Sequence, residues 1–347
     1  MSSSKLGARA PRLYQLHPLL AGPIDRWPSH LERIHAMGFD GIEVLSPFRA
    51  GRDGAIDVPA DPMRLDARVA PANDDGLDAL RGFVSAAETA GLAVVLEAVV
   101  PLAAADGVVA HEHGDWLARH GDGSPIQLDG AALLALDAAD TAQVEAIAAR
   151  LGAYLATGVR GLRLTAAHRA PAAFWREVLS RLRADVPAAL FIADMLGSPT
   201  EHWRDYVDVG FTGVLDSSRW WNFHDRWFLD QQAPLAEVGT PFAFPEDPHG
   251  PRAAAELDVG DLDVLARRLE ARYLAAVAIG TGLVVPMGFE FAMTRPRDPR
   301  HGSIADWEAE TAAPALDLRA FIAAANALEE RHPALGAPTA LRSRARR

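Results

Sequence analysis

The sequence predicts an α/β protein whose fold is a closed (β/α)8 TIM barrel. Three observations lead to this prediction. Short apolar runs, typical of parallel strands buried on both faces, alternate with longer helical stretches along the chain. Eight strand candidates occur, and repeated strand–helix units of that number suit closure into a barrel. The length of 347 residues fits one barrel domain of this kind.

The predicted strands are short and dominated by apolar residues. In the third of them a single charged residue, Glu97, interrupts an otherwise apolar run, as expected for a strand inside a barrel. In chain order the eight candidates are Leu13–Leu20, Gly41–Leu45, Leu92–Val100, Gly161–Thr165, Leu190–Met195, Phe211–Leu215, the stretch containing Phe242 and Phe244, and Leu283–Pro286.

The predicted helices alternate with these strands. Two of them stop at Gly38 and Gly91, because glycine is favoured just after a helix C-terminus. In chain order the helical stretches are Trp27–Met37, Leu77–Ala90, Thr141–Leu155, Ala172–Arg183, His202–Val207, Arg219–Gln232, Leu262–Ile279 and Leu316–Arg331. A doubly wound open sheet is the alternative, but no strand leads into a G-x-G-x-x-G or G-x-x-x-x-G-K-[ST] phosphate loop, so the barrel is favoured and no nucleotide cofactor is expected.

One segment breaks the alternation of strands and helices. Residues 101–140 are rich in His, Gly and Asp, and we expect them to form an excursion after the third strand. The predicted organisation is therefore a flexible N-terminus over residues 1–10, a barrel over residues 11–333 that includes this insertion, and a basic tail over residues 334–347.

Composition excludes several classes of function. A net charge of −12 argues against nucleic-acid binding. The lack of Cys excludes thiolate chemistry and disulfides, and the single Lys, Lys5, excludes a Schiff-base lysine inside the barrel. No uncharged apolar stretch predicts a membrane span, and the N-terminus lacks the apolar core of a secretory signal. We expect a cytoplasmic protein that needs no cofactor or metal and does not bind membranes; the sequence makes no prediction of oligomeric state.

Active-site residues of such a barrel lie where the strands end, at the C-terminal face. The strand ends here are unusually polar, and they combine carboxylates with histidines, a pairing that can transfer protons. The candidate catalytic residues are Asp194, Glu246 and His249. The candidate ligand-binding residues are Glu97, Arg163, His168 and Asp247.

The same strand ends carry a resemblance to a known family. Six segments occur in order: YQLHPLLAGPIDRWPSHLERIHAMGFDGIEVLSPF at the start, then GLRLTAAHRAPAAFWREVL, FIADMLGS, GFTGVLDSSRWWNFHDRWFLDQ, FAFPEDPHGPR and VVPMGFEFAM at the fourth to eighth strands. Over roughly residues 11–330 the chain resembles the α-amylase family, glycoside hydrolase family 13, and within it the branch related to maltosyltransferases. The resemblance implies a barrel with a reduced B domain at residues 101–140, no C-terminal β-sandwich, and a sugar or other small polar ligand.

The positions that carry the family's chemistry are altered. Its retaining enzymes use an Asp nucleophile and a Glu general acid/base about 5–5.5 Å apart. The resemblance places Thr165 at the nucleophile position, Asp194 at the acid/base position and His249 at a third carboxylate position, and it retains Arg163. Threonine without an adjacent base is a poor nucleophile, so Thr165 is expected to be inactive. We expect a divergent carbohydrate-related protein that lacks retaining α-glycosidase activity.

Two alternatives stay open at this point. The first is a repurposed active enzyme that works on a sugar or small polar substrate with Asp194, Glu246 and His249. The second is a non-catalytic, partner-binding pseudoenzyme, which needs no open polar pocket and would have its barrel mouth filled by side chains.

Some residues have both a functional and a structural interpretation. The guanidinium of Arg163 can bind a ligand anion, but an ion pair with Glu97 or Asp194 is favoured. The segment Glu246–Gly250 suits a functional site and a polar capping loop equally well. Glu290, after the eighth strand, is interpreted as structural.

Two further segments also have both a functional and a structural interpretation. The segment His111–His113 with Asp115 can ligate a metal, although a solvated polar loop is favoured. Trp220, Phe223 and Trp227 can stack on a sugar, but their helical spacing favours packing of a helix against the barrel.

Overall fold

The structure is a computed structural model that describes residues 10–72 and 74–332. Eight parallel strands pair in sequence order, and β8 pairs with β1 to close the barrel. The strands are β1 (Arg12–Leu16), β2 (Gly41–Val44), β3 (Ala93–Val99), β4 (Gly161–Thr165), β5 (Leu190–Ala193), β6 (Gly213–Leu215), β7 (Thr240–Ala243) and β8 (Gly282–Pro286). The predicted (β/α)8 barrel is confirmed.

Helical segments connect the strands. The α-helices are Pro18–Ala21, Leu31–Ala36, Leu77–Thr89, Val108–Glu112, Thr141–Leu155, Ala172–Asp185, Trp227–Val238, Ala253–Leu257, Leu262–Ile279, Ile304–Thr311 and Arg319–Arg331. The 3-10 turns are Ile24–His30, Gly114–Trp116, Ala167–Arg169, Thr200–Tyr206, Ser218–Trp220 and Phe289–Phe291. Within the described part of the chain, no helix combines the length and apolar character needed to cross a bilayer.

The connection after β6 differs from the prediction of one helix over Arg219–Gln232. A 3-10 turn, Ser218–Trp220, is followed by a loop, and the helix begins only at Trp227. The side chain of Asn222 organises the loop, since its Oδ1 accepts hydrogen bonds from the backbone N–H of His224 at 3.0 Å and of Asp225 at 2.9 Å. Such local side-chain bonds give the backbone an alternative to the helix.

The excursion after β3 contains a small antiparallel sheet. Its strands are Leu102–Ala103, Gln127–Leu128 and Ala131–Leu133. A second antiparallel pair, Phe48–Arg49 with Asp61–Leu65, follows β2. Of the predicted N-terminal segment only Ala10 is described, and the predicted basic tail lies outside the described residues.

The barrel interior is apolar towards the strand N-termini and polar towards their C-termini. An inner cluster of apolar side chains packs within the barrel: Leu13, Val95, Ile192, Leu215, Phe242, Phe244 and Val284. The ring of Phe242 lies against Gly213 and Gly282 of the neighbouring strands, where a Cβ atom would approach it to 2.5 Å. Side chains alternate along a strand, so Gln15 and Glu97 face the interior one step above Leu13 and Val95. This alternation places charge at the barrel mouth.

Candidate functional site

Four successive strands bring one charged side chain each to the barrel mouth. Glu43 lies on β2, Glu97 on β3 and Arg163 on β4, and Asp194 directly follows β5. Glu97 and Arg163 are direct partners across the β3–β4 pair. All four side chains are buried. We call this group the Arg163 centre.

Arg163 is bonded to all three carboxylates. Its Nε donates to Glu43 Oε1 at 2.6 Å, its Nη2 to Glu97 Oε1 at 2.5 Å, and its Nη1 to Asp194 Oδ2 at 3.0 Å. Burial alone would lower the pKa of Arg163, but the three carboxylates outweigh burial and raise that pKa above its ordinary value. The favoured sequence interpretation paired Arg163 with Glu97 or Asp194, and the structure shows both pairs together with Glu43.

Thr165 and Ser46 complete the coordination of Glu97. The Thr165 hydroxyl donates to Glu97 Oε1 at 2.7 Å, and the backbone N–H of Ser46 donates to Oε2 at 2.8 Å. Burial would raise the pKa of Glu97, but Arg163, His249 and these hydrogen bonds lower it overall. Glu97 is therefore a carboxylate at neutral pH, not a proton donor.

Asp194 also has both oxygens engaged. Besides the bond from Arg163, its Oδ1 accepts the backbone N–H of Leu196 at 3.1 Å. The half-buried His168 lies in the 3-10 turn after β4, next to Asp194, where burial and then Arg169 lower its pKa. The turn is tied to Asp194 by the backbone bond from Ala167 at 2.8 Å.

His249 covers the Arg163 centre on the solvent side. Its Nε2 lies 3.0 Å from Arg163 Nη2 and 3.9 Å from Glu97 Oε1, and its side chain is 40% exposed. A guanidinium can only donate, so this contact is a hydrogen bond when the His249 ring is neutral and accepts at Nε2. The backbone N–H of His249 donates to Asp247 Oδ1 at 2.9 Å, which fixes the loop after β7.

Glu246 is not brought into the Arg163 centre. It is buried in an ion-pair cluster of its own with Arg252, 3.1 Å away, and with Arg297. It also accepts the backbone N–H of Ala253 at 2.6 Å. Burial would raise the pKa of Glu246, but Arg297 and Arg252 lower it overall. The carbonyl of Asp247 accepts from Arg297, so both acids of this loop act in holding it in place.

Sequence reasoning missed several polar residues at the mouth. Glu43 and Gln15 are direct partners on β2 and β1, and Gln15 Nε2 donates to Glu43 Oε1 at 3.1 Å. Burial, with Arg297 and Arg252 nearby, lowers the pKa of His17 to about 3. Burial and the neighbouring Glu97 raise the pKa of Asp57. The sequence signal for Glu43 was the one that identified Glu97, a lone acid in an apolar strand.

The space left above the Arg163 centre is small. Glu97, Ser46, Asp57, His17 and His249 border a cavity of about 60 Å³. Small-molecule sites in proteins enclose roughly 300–1,000 Å³. A cavity of about 410 Å³ does occur, but its lining includes residues that precede β2 and β3, at the opposite end of the barrel from the charged residues.

Two other features predicted from the sequence can be placed, Glu290 and the segment His111–His113. Glu290 accepts the Tyr14 hydroxyl at 2.7 Å and pairs with Arg33, a structural arrangement between β1 and the barrel wall. His111 is exposed, and the ring of His113 stacks on Trp116 with centroids 3.8 Å apart. Over residues 10–72 and 74–332, no three His, Cys, Asp or Glu side chains are grouped so as to hold a metal ion.

Asp216 directly follows β6, and among the described residues no cation is bonded to its carboxylate. Its Oδ1 accepts the backbone N–H of Ser218 at 2.9 Å and the Ser218 hydroxyl at 2.6 Å. In the described part of the chain, Oδ2 has no hydrogen-bond partner. Burial raises the pKa of Asp216 to about 7.

A sequence comparison finds a curated relative. An alpha-1,4-glucan:maltose-1-phosphate maltosyltransferase of Burkholderia pseudomallei (strain K96243) is 32% identical over 341 residues. The match covers 94% of this chain and 29% of the relative, so the chain spans less than a third of that protein's length. No protein-family model matches the chain.

Solved structures share the barrel. An α-amylase from Lactobacillus plantarum superposes with a TM-score of 0.73 at 17% identity, covering 95% of this chain and 82% of that one. A cyclic alpha-maltosyl-(1→6)-maltose hydrolase from Arthrobacter globiformis gives 0.67 at 15% identity, covering 96% and 86%. At such identities the likeness establishes the fold, and the curated relative adds the branch. These comparisons confirm the resemblance to the α-amylase family, glycoside hydrolase family 13, and to its branch related to maltosyltransferases.

Proposed function

We propose that this chain is a non-catalytic α-amylase-like barrel, a pseudoenzyme that serves carbohydrate metabolism by binding and does not cleave or transfer glycosidic bonds. The observation that carries the proposal is the filled barrel mouth. Arg163 holds Glu43, Glu97 and Asp194, and the cavity above them measures about 60 Å³. A cytoplasmic location, the domain boundaries 11–333 and a sugar or small polar ligand belong to the same proposal.

The state of the individual side chains supports it. Retaining chemistry needs one carboxylate free to attack and one carboxyl group able to give a proton. The hydroxyl of Thr165 is used in a bond to Glu97, and both oxygens of Asp194 are bonded. Glu97 and Glu246 have lowered pKa values, so neither carries a proton to donate near neutral pH.

The experiment is a direct search for turnover. The purified chain is incubated with maltoheptaose, with an aryl α-glucoside, and with maltose 1-phosphate plus glycogen, beside an active α-amylase as positive control. We expect neither hydrolysis nor transfer. A fluorosugar that forms a covalent adduct on any residue of this chain, detected by mass spectrometry, would overturn the proposal.

One observation favours a second candidate, a repurposed enzyme for a small polar substrate. Asp194 and Glu246, predicted for this role, are both held by arginines. Asp57, however, has a raised pKa and borders the same small cavity as His249, and a carboxyl group beside a histidine can serve as general acid and base. A thermal-shift screen with small polar compounds tests this candidate: stabilisation that is lost in both Asp57→Asn and His249→Ala would favour it.

A further inference from the structure

Two aromatic side chains after β6 are exposed, contrary to the helix packing expected for them. Trp220 is 46% exposed and Phe223 is 58% exposed. They border a groove of about 340 Å³, which the residues Phe244 and Pro245 after β7 and the helix Leu262–Ile279 complete. We call it the aromatic groove. It shares no lining residue with the small cavity above the Arg163 centre.

The loop itself holds these rings outward. Phe223 has a φ of 63°, in the left-handed region that bulky residues rarely adopt. The Asn222 bonds described above fix the loop, and the Trp221 indole N–H donates to the Asp225 carbonyl at 2.8 Å. Residues in such conformations persist only where the surrounding structure imposes them, and they cluster at ligand-binding sites. The exposed position of Phe223 is therefore built into the fold.

The groove also has hydrogen-bond donors at its edge. Arg219 and Arg272 both line it, and both pair with Glu256, Arg272 at a distance of 3.2 Å. The Arg219 side chain is only 8% exposed, and among the described residues its Nε has no hydrogen-bond partner. An aromatic surface flanked by N–H donors matches a ring that is apolar on its face and hydroxylated at its rim.

We propose that the aromatic groove binds a pyranose ring of a neutral glycan chain. The C–H face of the sugar lies on Trp220 and Phe223, which gives aromatic burial, and its hydroxyl oxygens accept hydrogen bonds from Arg219 and Arg272. This inference rests on the proposed function, because it supplies the non-catalytic barrel with a place to hold a glucan.

The two exposed aromatic side chains supply only part of the area that a stable protein interface needs. A fully buried aromatic side chain covers about 150–250 Å², so the exposed parts of Trp220 and Phe223 amount to roughly 200 Å². A standard interface buries about 800 Å² on each partner. Because these side chains supply about a quarter of that area, we commit to a sugar ring within a glycan chain as the occupant, and a second copy of the protein is an outcome of the test.

Binding of maltoheptaose to the full chain, measured by titration calorimetry, tests the proposal. Trp220→Ala and Phe223→Ala are each expected to weaken binding about tenfold, equivalent to about 1.4 kcal/mol. Trp220→Phe keeps an aromatic face and is expected to restore most of the affinity. Leu262→Ala is the matched control, because Leu262 is also 46% exposed but is aliphatic and lies outside the groove lining. The Leu262→Ala variant is expected to bind maltoheptaose with the affinity of the wild type.

The binding measurements distinguish failure of the groove proposal from failure of the proposed function. Equal affinity in wild type, Trp220→Ala and Phe223→Ala overturns the proposal, because the sugar then binds elsewhere. The proposal is also overturned if the wild type does not bind maltoheptaose at millimolar concentration. It is overturned as well if the wild type binds no sugar but forms a dimer in sedimentation that Trp220→Ala abolishes. A fluorosugar adduct in the barrel mouth would refute the proposed function alone, because the groove variants leave the Arg163 centre intact.

Discussion

Replacing Arg163 by methionine tests the interpretation of the barrel mouth as a charged structural centre. Methionine keeps an unbranched stem of similar reach but removes the guanidinium, which now bonds to Glu43, Glu97 and Asp194 at 2.5–3.0 Å in a fully buried position. Removing one partner of a buried ion pair costs about 3–5 kcal/mol, because the other charge stays buried and unpaired. Here three carboxylates lose their shared cation, so we expect a loss of at least about 3–5 kcal/mol.

The loss of stability in Arg163→Met is expected to depend on pH. In the wild type the pKa of Glu97 is lowered, so its contribution to stability is present above its unfolded-state pKa and is lost as the pH falls through the folded pKa. In Arg163→Met the buried Glu97 loses the cation that most lowers its pKa, and burial then raises that pKa. Folding of the variant then takes up protons, and its deficit relative to the wild type shrinks between pH 8 and pH 5.5.

The assay is urea unfolding at pH 5.5, 6.5 and 8, with the free energy of unfolding taken by linear extrapolation. Arg163→Lys keeps a charge but loses the fork that reaches three partners, so we expect an intermediate loss. Arg226→Met, which breaks the exposed pair with Asp230, is the control and should change stability by less than about 1 kcal/mol. A loss below about 1 kcal/mol for Arg163→Met, or a deficit that does not vary with pH, refutes the reasoning.

Three other predictions follow from the same geometry. The double variant Thr165→Asp with Asp194→Glu should show no turnover on an aryl α-glucoside and should have a lower melting temperature. The reason is that Thr165 Oγ1 lies 2.7 Å from Glu97 Oε1, so a new carboxylate at this position is repelled. Clear turnover would mean that only the catalytic pair was missing. The pKa of Asp216 is about 7 in the folded state, above its unfolded value, so the stability that Asp216 contributes is lost as the pH rises through 7. In urea unfolding, Asp216→Asn should therefore gain stability relative to the wild type as the pH is raised from 5.5 to 8.5. A difference in unfolding free energy between the two proteins that does not change with pH would contradict the raised pKa. Gly213→Ala should lower the free energy of unfolding by about 1–3 kcal/mol, because the new Cβ meets the Phe242 ring at 2.5 Å. Gly82→Ala, in a helix with open space around it, should raise that free energy by up to about 1 kcal/mol. Equal effects of the two variants in the same unfolding assay would argue against tight packing at Phe242.

The barrel could be predicted because its strands are apolar on both faces and occur in a regular alternation. The strand candidates matched the eight observed strands, with ends that moved by up to a few residues. The connection after β6 could not be predicted from spacing, since the side chain of Asn222 bonds to the backbone at His224 and Asp225 and replaces helical hydrogen bonds there. That competition exposes Trp220 and Phe223, which helical periodicity had assigned to packing.

The site was predicted less completely than the fold. Arg163 and Glu97 lie two residues before the ends of β4 and β3, and Asp194 directly follows β5, so position along the strand was enough to bring them together. Glu246 also follows a strand, but its partners Arg252 and Arg297 come from chain segments whose approach no local pattern indicates. Glu43 lies one residue before the end of β2, as near the mouth as Glu97 and Arg163 are on their strands, but the sequence analysis did not select it.

The order of the Arg163 centre along the chain has a consequence for synthesis. Its four members lie on β2, β3, β4 and the end of β5, so a nascent chain that has emerged only through β4 contains Arg163 without its partner Asp194. Its charges can be fully paired only after residues 41–194 have left the ribosome. A chain stalled before Leu190 should therefore be cut by protease faster than one stalled well beyond Asp194, and the fifth strand marks the point at which the growing barrel becomes protected.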